Sequence, residues 1–153
     1  MGIEIERKFL TTQNAWRELG SPVPYKQGYL VSDGQRTVRV RVAGDQGYIT
    51  IKGPTSGASR SEFEYRIPVD EANELFLLCA LPIIEKFRTE VIYEGKLWEV
   101  DEFLGANQGL VMAEIELSSE DESFVLPPWI GAEVTGDRRY YNSQLALNPY
   151  LNW

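Results

Sequence analysis

Ile3-Glu4-Ile5-Glu6-Arg7-Lys8-Phe9, close to the start of the chain, is the stretch from which the fold can be read. In an extended strand successive side chains point to opposite faces. Glu4, Glu6 and Lys8 then share one face, while Ile3, Ile5 and, beyond Arg7, Phe9 share the other. Two carboxylates and an ammonium in one row make half of a metal-and-phosphate site.

The same alternation recurs along the chain. Val38-Arg39-Val40-Arg41-Val42 sets two arginines against three valines, and Tyr48-Ile49-Thr50-Ile51-Lys52 sets Thr50 and Lys52 against two isoleucines. Glu62-Phe63-Glu64-Tyr65-Arg66-Ile67, Lys86-Phe87-Arg88-Thr89-Glu90-Val91, Trp98-Glu99-Val100-Asp101-Glu102-Phe103 and Ala113-Glu114-Ile115-Glu116-Leu117 repeat it. Each reads as a strand of period two. A charged face turned to bulk water would explain any one of them. It explains the set poorly, because solvated faces usually mix signs, whereas these segments sort into basic and acidic ones. A dry core is excluded, since moving each ion into a low-dielectric interior costs on the order of 20 kcal/mol. Closing the strands into a barrel brings one face of every strand together around a shared, wet lumen. Helices would then cover the outward valines and isoleucines.

At 153 residues, with 43% hydrophobic content, the chain is expected to form a single domain spanning 1–153. A net charge of −8 argues against a large nucleic-acid-binding surface. A local basic cavity within an acidic protein suits a small, highly charged anion. The chain has no histidine, which removes histidine-based nucleophilic triads, a histidine general base and His-bound zinc. Its one cysteine, Cys79, lies in the apolar stretch 75–81 and reads as a buried small hydrophobe. A lone cysteine forms no intrachain disulfide, which agrees with a reducing compartment. The N-terminal stretch is charged from Glu4 and lacks a signal-peptide apolar region, and no apolar run approaches the roughly 18 residues of a membrane span. A cytoplasmic location is expected.

Helices are few. The pattern predicts short ones over 12–19, 71–81 (capped by Asp70) and 139–147, with an acidic turn over 120–124. Turn signals at 32–34, 44–47, 53–59, 93–95 and 105–109 separate the strands, and 25–31 is a further strand on which the facing of Lys26 and Gln27 is ambiguous. The fold class that follows is α+β: an eight-stranded antiparallel β-barrel, or tunnel, with a polar charged lumen and a few helices outside. The Gly53–Ser59 loop lacks a Gly-Lys-Ser/Thr ending and reads as a hairpin loop that could gate a cavity mouth. The four tryptophans, Trp16, Trp98, Trp129 and Trp153, read as packing residues.

Carboxylate oxygens without thiolate or imidazole select hard cations: magnesium, manganese or calcium. Lys8, Arg39, Arg41, Lys52, Lys86 and Arg88 together suit a triphosphate of about four to five negative charges, which arginine forks can bind bidentately. Cations and a divalent metal around a transferring phosphoryl group form a recurring catalytic arrangement.

These residues bring the chain to a known family. The run Ile3 to Phe9 resembles the N-terminal signature of the CYTH superfamily, the triphosphate tunnel metalloenzymes. Arg39 and Arg41, Lys52, Glu62 and Glu64, Lys86 and Arg88, Asp101, and Glu114 and Glu116 are similar to the family's later motifs, and Gly136-Asp137-Arg138-Arg139-Tyr140-Tyr141-Asn142 to its closing segment. The resemblance is closest to the small bacterial-type inorganic triphosphatases. It implies a metal-dependent triphosphatase, a phosphoric anhydride hydrolase, using Mg2+ or Mn2+, with one ion or two. On that resemblance Glu6, Glu114 and Glu116 would hold the metal that orients the triphosphate. Glu4 and Asp101, with Glu99, would hold or assist a second ion near the attacking water, so that Glu4, Lys8 and Asp101 are the catalytic candidates. Lys8, Arg39, Arg41, Lys52, Lys86, Arg88 and Arg139 would bind phosphate oxygens, with Glu62, Glu64 and Glu99 in support. Glu90, Arg66, Glu133 and Arg138 could face the cavity but match no motif.

Inorganic tripolyphosphate is the first-choice substrate, because so short a chain leaves little length for a nucleobase or thiazole pocket. Thiamine triphosphatase, nucleoside triphosphatase and adenylate cyclase are the enzymatic alternatives, and a polyphosphate-binding module is the non-enzymatic one. The partner expected is a small-molecule triphosphate, with no nucleic acid and no membrane; a homodimer is left open.

Overall fold

The computed structural model describes residues 2–153. The strands are β1 (Ile3–Thr11), β2 (Pro22–Ser32), β3 (Thr37–Ala43), β4 (Gln46–Lys52), β5 (Ser59–Ile67), β6 (Ile84–Tyr93), β7 (Lys96–Phe103), β8 (Val111–Glu116) and β9 (Ile130–Glu133). The two α-helices are α1 (Val69–Leu75) and α2 (Asn142–Leu147). All nine strands belong to one antiparallel sheet in the order β5-β4-β3-β2-β6-β7-β8-β1-β9. β5 also pairs with β1, through Ile3 with Ser61, Glu4 with Arg60 and Ile5 with Ser59, so the first eight strands close into the expected barrel. β9 is an addition beside the later half of β1, where Phe9 meets Glu133 and Thr11 meets Ile130. Its sequence, Ile-Gly-Ala-Glu, carries no charged alternation, which is why the period-two signal misses it.

Tight hairpins hold the register. Between β6 and β7, Glu94 and Gly95 sit at φ 48 and 75. Two consecutive left-handed residues are what a type I′ turn needs to match the twist of its strands. Because the lumen is charged, most apolar burial happens outside the wall, with one cluster inside the barrel at the end that α2 closes. One cluster packs Phe9, Val91, Trp98, Val100, Ala113, Ile115 and Leu117 beneath Trp16 and Trp129. Trp98 lies at its centre, fully buried, edge-to-face with Phe9, Phe124 and Trp129 at ring separations of 5.6, 5.8 and 6.1 Å. A second cluster packs Leu145 and Ala146 of α2 against Ile84, Phe103, Leu110 and Met112. A third packs Ala72 of α1 and Phe76 over Val40.

Several local expectations change. The 12–19 helix is a single 3-10 turn, Ala15–Glu18, and the 71–81 helix ends at Leu75 and continues as a 3-10 turn over Phe76–Leu78. Asp70 is not its cap: Pro68 occupies that position, and Asp70 lies in the first turn. The closing helix splits into a 3-10 turn, Arg138–Tyr140, and α2, because Tyr141 is extended at ψ 135. Helices do not cover the whole wall either. Ile3, Ile51, Phe63 and Tyr65 stay exposed on the outer face of β1, β4 and β5, and the Trp98 cluster is covered by extended chain carrying Phe124 and Trp129 rather than by a helix. Three tryptophans are buried as packing residues, whereas Trp153 is partly exposed and packs on Tyr140 and Tyr150. Cys79 is half-buried beside the α1 cluster. Among the described residues no helix is long and apolar enough to cross a membrane.

Trp98→Ala should destabilise the fold by about 3–5 kcal/mol, the range for emptying a large aromatic site in a packed core. Urea denaturation followed by circular dichroism measures it, and a loss below about 1 kcal/mol would mean the outer cluster does not carry the barrel.

Candidate active site

The inward faces of the eight barrel strands converge on one cavity that opens to solvent. Pairing register decides which charges become neighbours. β1 and β8 set Glu6 opposite Glu116 and Lys8 opposite Glu114, and β7 and β8 set Glu99 opposite Glu114. Like charges directly opposite one another are destabilising in a sheet, so these acidic pairs raise the energy of the empty lumen. On the other wall β3 contributes Arg39 and Arg41, and β6 contributes Lys86 and Arg88.

The cavity is lined by Glu4, Glu6, Lys8, Arg39, Arg41, Lys52, Glu62, Glu64, Lys86, Arg88, Glu99, Glu114 and Glu116. That is the residue set expected from sequence, less two members. Asp101 is completely buried on the inward face of β7, opposite Arg88, and does not line the cavity. Its Oδ1 accepts from Arg88 Nε at 2.7 Å, and its Oδ2 accepts from Lys86 Nζ at 2.6 Å and Arg88 Nη2 at 2.9 Å. Both oxygens of this expected catalytic and metal-binding carboxylate therefore accept from basic residues, and it anchors two cations. Arg139 lies outside the cavity. Its side chain pairs with Asp137 at 2.8 Å and packs over Trp153 and Tyr140, because the 3-10 turn buries Tyr140 in the α2 cluster and leaves its neighbour outside. Arg138 instead lines a neighbouring groove at the mouth, with Arg60 and the 53–57 loop.

Supporting acids behave as orienters. Glu64 accepts from Thr50 at 2.9 Å and pairs with Arg39 at 3.4 Å, while Glu62 pairs with Lys52 at 3.4 Å. Glu4 takes Lys52 at 3.0 Å, and Glu99 takes Arg88 Nη1 at 3.1 Å. Glu133 pairs with Arg7 on the outside, and Glu90 and Arg66 are exposed and do not line the cavity.

Several lumen residues carry no charge alternation to betray them. Gln27 and Tyr29 of β2 share an inward face with no charged member, and Tyr141, Asn142 and Ser143 reach the cavity only because α2 packs across its end. Lys26 points outward, over Phe76. Arg60 lines the cavity too, and extending the period-two run from Glu64 and Glu62 back by one step would have found it.

The electrostatics separate two ends. Burial lifts the Glu114 carboxyl, and the nearby Glu6 lifts it further. Burial likewise raises Glu116, helped by Glu4 and Glu6, and raises Glu99. Glu6 is itself held below its usual value: burial pushes it up, but Lys8, 3.4 Å away, together with Lys52 and Glu114 outweighs that. Lys8 is raised in turn, burial losing to Glu114 and Glu6. At the basic end burial pulls the Lys86 ammonium down to about 7 against the opposing pull of Asp101, with Arg88 and Arg41 adding to the descent. Burial and the neighbouring Arg39 and Arg88 lower Arg41 as well. Arg39 Nε is buried with no partner among the described residues. One end therefore has more acid than its cations satisfy, and the other has cations and donors in excess.

Among the described residues no three acidic side chains form a ready-made metal cage. A hard divalent ion that keeps waters and shares its shell with substrate phosphates needs only one or two protein carboxylates. Glu6 of β1 and Glu114 and Glu116 of the adjacent β8 line the cavity together and supply such a donor set, since neighbouring carboxylates are stabilised by a shared cation.

Comparison with known proteins agrees with this geometry. Residues 2–143 match the model of the CYTH domain. An inorganic triphosphatase of Acetivibrio thermocellus is 55% identical over 154 residues, 100% of this chain and 99% of its own length. An inorganic triphosphatase of Nitrosomonas europaea is 39% identical over 149 residues, 95% of this chain and 97% of its own. A crystal structure of an inorganic triphosphatase superposes with a TM-score of 0.68 at 36% identity, covering 94% of each chain.

Asp101→Asn should cost about 3–5 kcal/mol at neutral pH, because it leaves two buried cations short of a counter-charge. The folded pKa of Asp101 is depressed by Arg88 and Lys86 against the effect of burial. Its contribution is therefore complete above the unfolded value of about 3.9 and drains away as pH falls from there toward the folded value. Urea denaturation of both proteins across the acid range checks the sign: the gap between them should narrow only below about pH 4. A gap that stays constant would show that no linked charge is involved.

Proposed function

Since this chain belongs to the CYTH family, we propose that it hydrolyses inorganic tripolyphosphate to pyrophosphate and orthophosphate with a divalent metal, Mg2+ or Mn2+. One observation carries the reading: a wall of buried, crowded cations faces a wall of under-compensated carboxylates across a single cavity. A triphosphate with its metal supplies the missing charge at both ends at once. The inorganic triphosphatases among its relatives support the same choice.

Arg39, Arg41, Lys86 and Arg88 would grip the phosphate oxygens, with Lys52 beside them and Lys8 at the junction of the two walls. Glu6, Glu114 and Glu116 would hold the metal, which when bound neutralises phosphoryl charge and orients the triphosphate. Water attacks the terminal phosphorus. The bond to the bridging oxygen breaks, and its electron pair leaves with pyrophosphate. With Asp101 committed elsewhere, Glu4 and Glu99 are the carboxylates left to take the water's proton. Asp101 serves by fixing Lys86 and Arg88. A reducing cytoplasm suits a chain whose one cysteine is a half-buried thiol.

A nucleoside triphosphate is the second reading, favoured by the mouth groove, which shares Thr37, Arg60, Tyr141 and Ser143 with the cavity and could house a nucleoside. Purified protein with magnesium should release phosphate from tripolyphosphate faster than from ATP or thiamine triphosphate. Cyclic AMP from ATP with little phosphate from tripolyphosphate would overturn the hydrolase reading. Glu116→Gln and Lys8→Ala should each lower turnover about 100- to 1000-fold, the cost of one lost transition-state contact of about 2.7–4 kcal/mol. Wild-type turnover in either variant would show the site to be elsewhere.

A further inference from the structure

A run of neutral amides links the cation wall to α2. Gln27 has no exposed surface. Its Oε1 accepts from Arg41 Nε at 3.0 Å and from Arg41 Nη2 at 2.8 Å. Its Nε2 donates to Tyr29 OH at 3.2 Å and to Asn142 Oδ1 at 2.9 Å. Asn142 Oδ1 also accepts from Lys86 Nζ at 2.9 Å. Asn142 is the first residue of α2, whose Leu145 and Ala146 are buried against the barrel wall, so helix packing fixes where its amide sits.

Crowded cations can be held in two ways. Carboxylates hold them by cancelling their charge, as Asp101 does. Carbonyl dipoles hold them by hydrogen bonds that leave the net charge in place. A cavity that must bind a polyanion gains from the second, since every added carboxylate would compete with phosphate for the same guanidinium or ammonium. Arg41 is held by an amide oxygen and by the face of Tyr25, its guanidinium carbon 5.0 Å from the ring centroid, and among the described residues it forms no salt bridge. Lys86 divides its ammonium between Asp101 and the Asn142 amide.

We propose that Gln27 and Asn142 are positioning residues for substrate: their amide oxygens align Arg41 and Lys86 for phosphate without neutralising them. The proposal rests on the triphosphate reading above and goes beyond it by assigning affinity to two uncharged side chains. It makes α2 part of the binding apparatus, because displacing Asn142 would release Lys86.

The test compares near-isosteric variants. Gln27→Glu and Asn142→Asp keep shape and add charge; Gln27→Met keeps volume and removes the acceptor. Tripolyphosphate binding is measured by calorimetry in EDTA, turnover with magnesium, and folding by thermal denaturation. The two charged variants should raise KM and weaken EDTA binding about tenfold or more, with kcat changed less. Gln27→Met should raise KM by a smaller factor, and it alone decides the matter for Gln27 if Gln27→Glu does not fold. Folded variants that bind tripolyphosphate as wild type does would overturn the proposal. So would losses confined to kcat and melting temperature with KM unchanged, since those mark a merely structural role. A wild-type protein that neither binds nor cleaves tripolyphosphate would instead sink the triphosphate reading itself, before any variant is compared.

Discussion

The carboxylate of Asp101 is what allows a barrel to keep a wall of cations inside it. Lys86 and Arg88 are both buried, and each would be prohibitively costly if left unpaired. Asp101 meets them with bonds of 2.6 to 2.9 Å without itself lining the cavity, so both cations are compensated while still lining it.

The opposite wall shows the complementary situation. Glu6 and Glu116 are paired across strands, as are Glu99 and Glu114, at a cost in sheet stability. Burial raises three of these four carboxyls, and Lys8 pairs with Glu6. The charges of the cavity are thus unbalanced at both ends and in opposite senses. A metal with a polyanion relieves both imbalances, whereas either alone relieves one. Binding energy is stored in the register of the sheet, which no single strand possesses.

A charged lumen displaces most of the apolar core to the outside. Phe9, Trp98 and aliphatic residues of β6, β7 and β8 pack beneath the 3-10 turn of Trp16 and the extended segment carrying Phe124 and Trp129, α1 covers a further outer patch, and α2 closes one end of the barrel over inward-facing Ile84, Phe103 and Met112. The coverage serves the site as well as stability, because α2 is held by Leu145 and Ala146 where its first residue can touch Gln27 and Lys86. The outer face around Ile51, Phe63 and Tyr65 is left without such cover.

Alternation of charge at period two was enough, in sequence alone, to predict an eight-stranded barrel with a charged lumen and to nominate most of the residues that line it. It works because a pleated strand puts every second side chain on one face, whatever its neighbours are. Resemblance to the family's ordered motifs then supplied the chemistry. Asp101 obeyed the same alternation yet proved to be an anchor, since periodicity says which face a side chain takes and not how far it stands from the cavity or who claims its oxygens. Arg139 matched a motif yet lies outside, because a 3-10 turn assigns faces by a different period. Gln27 carried no charge signal and Asn142 stood only at the end of the closing motif, and nothing in the sequence joined these two uncharged residues, 115 apart in the chain. Strand periodicity is local, so the sequence determines it directly; the partner of each buried polar atom depends on closure of the barrel and the docking of α2, and only the folded chain decides it.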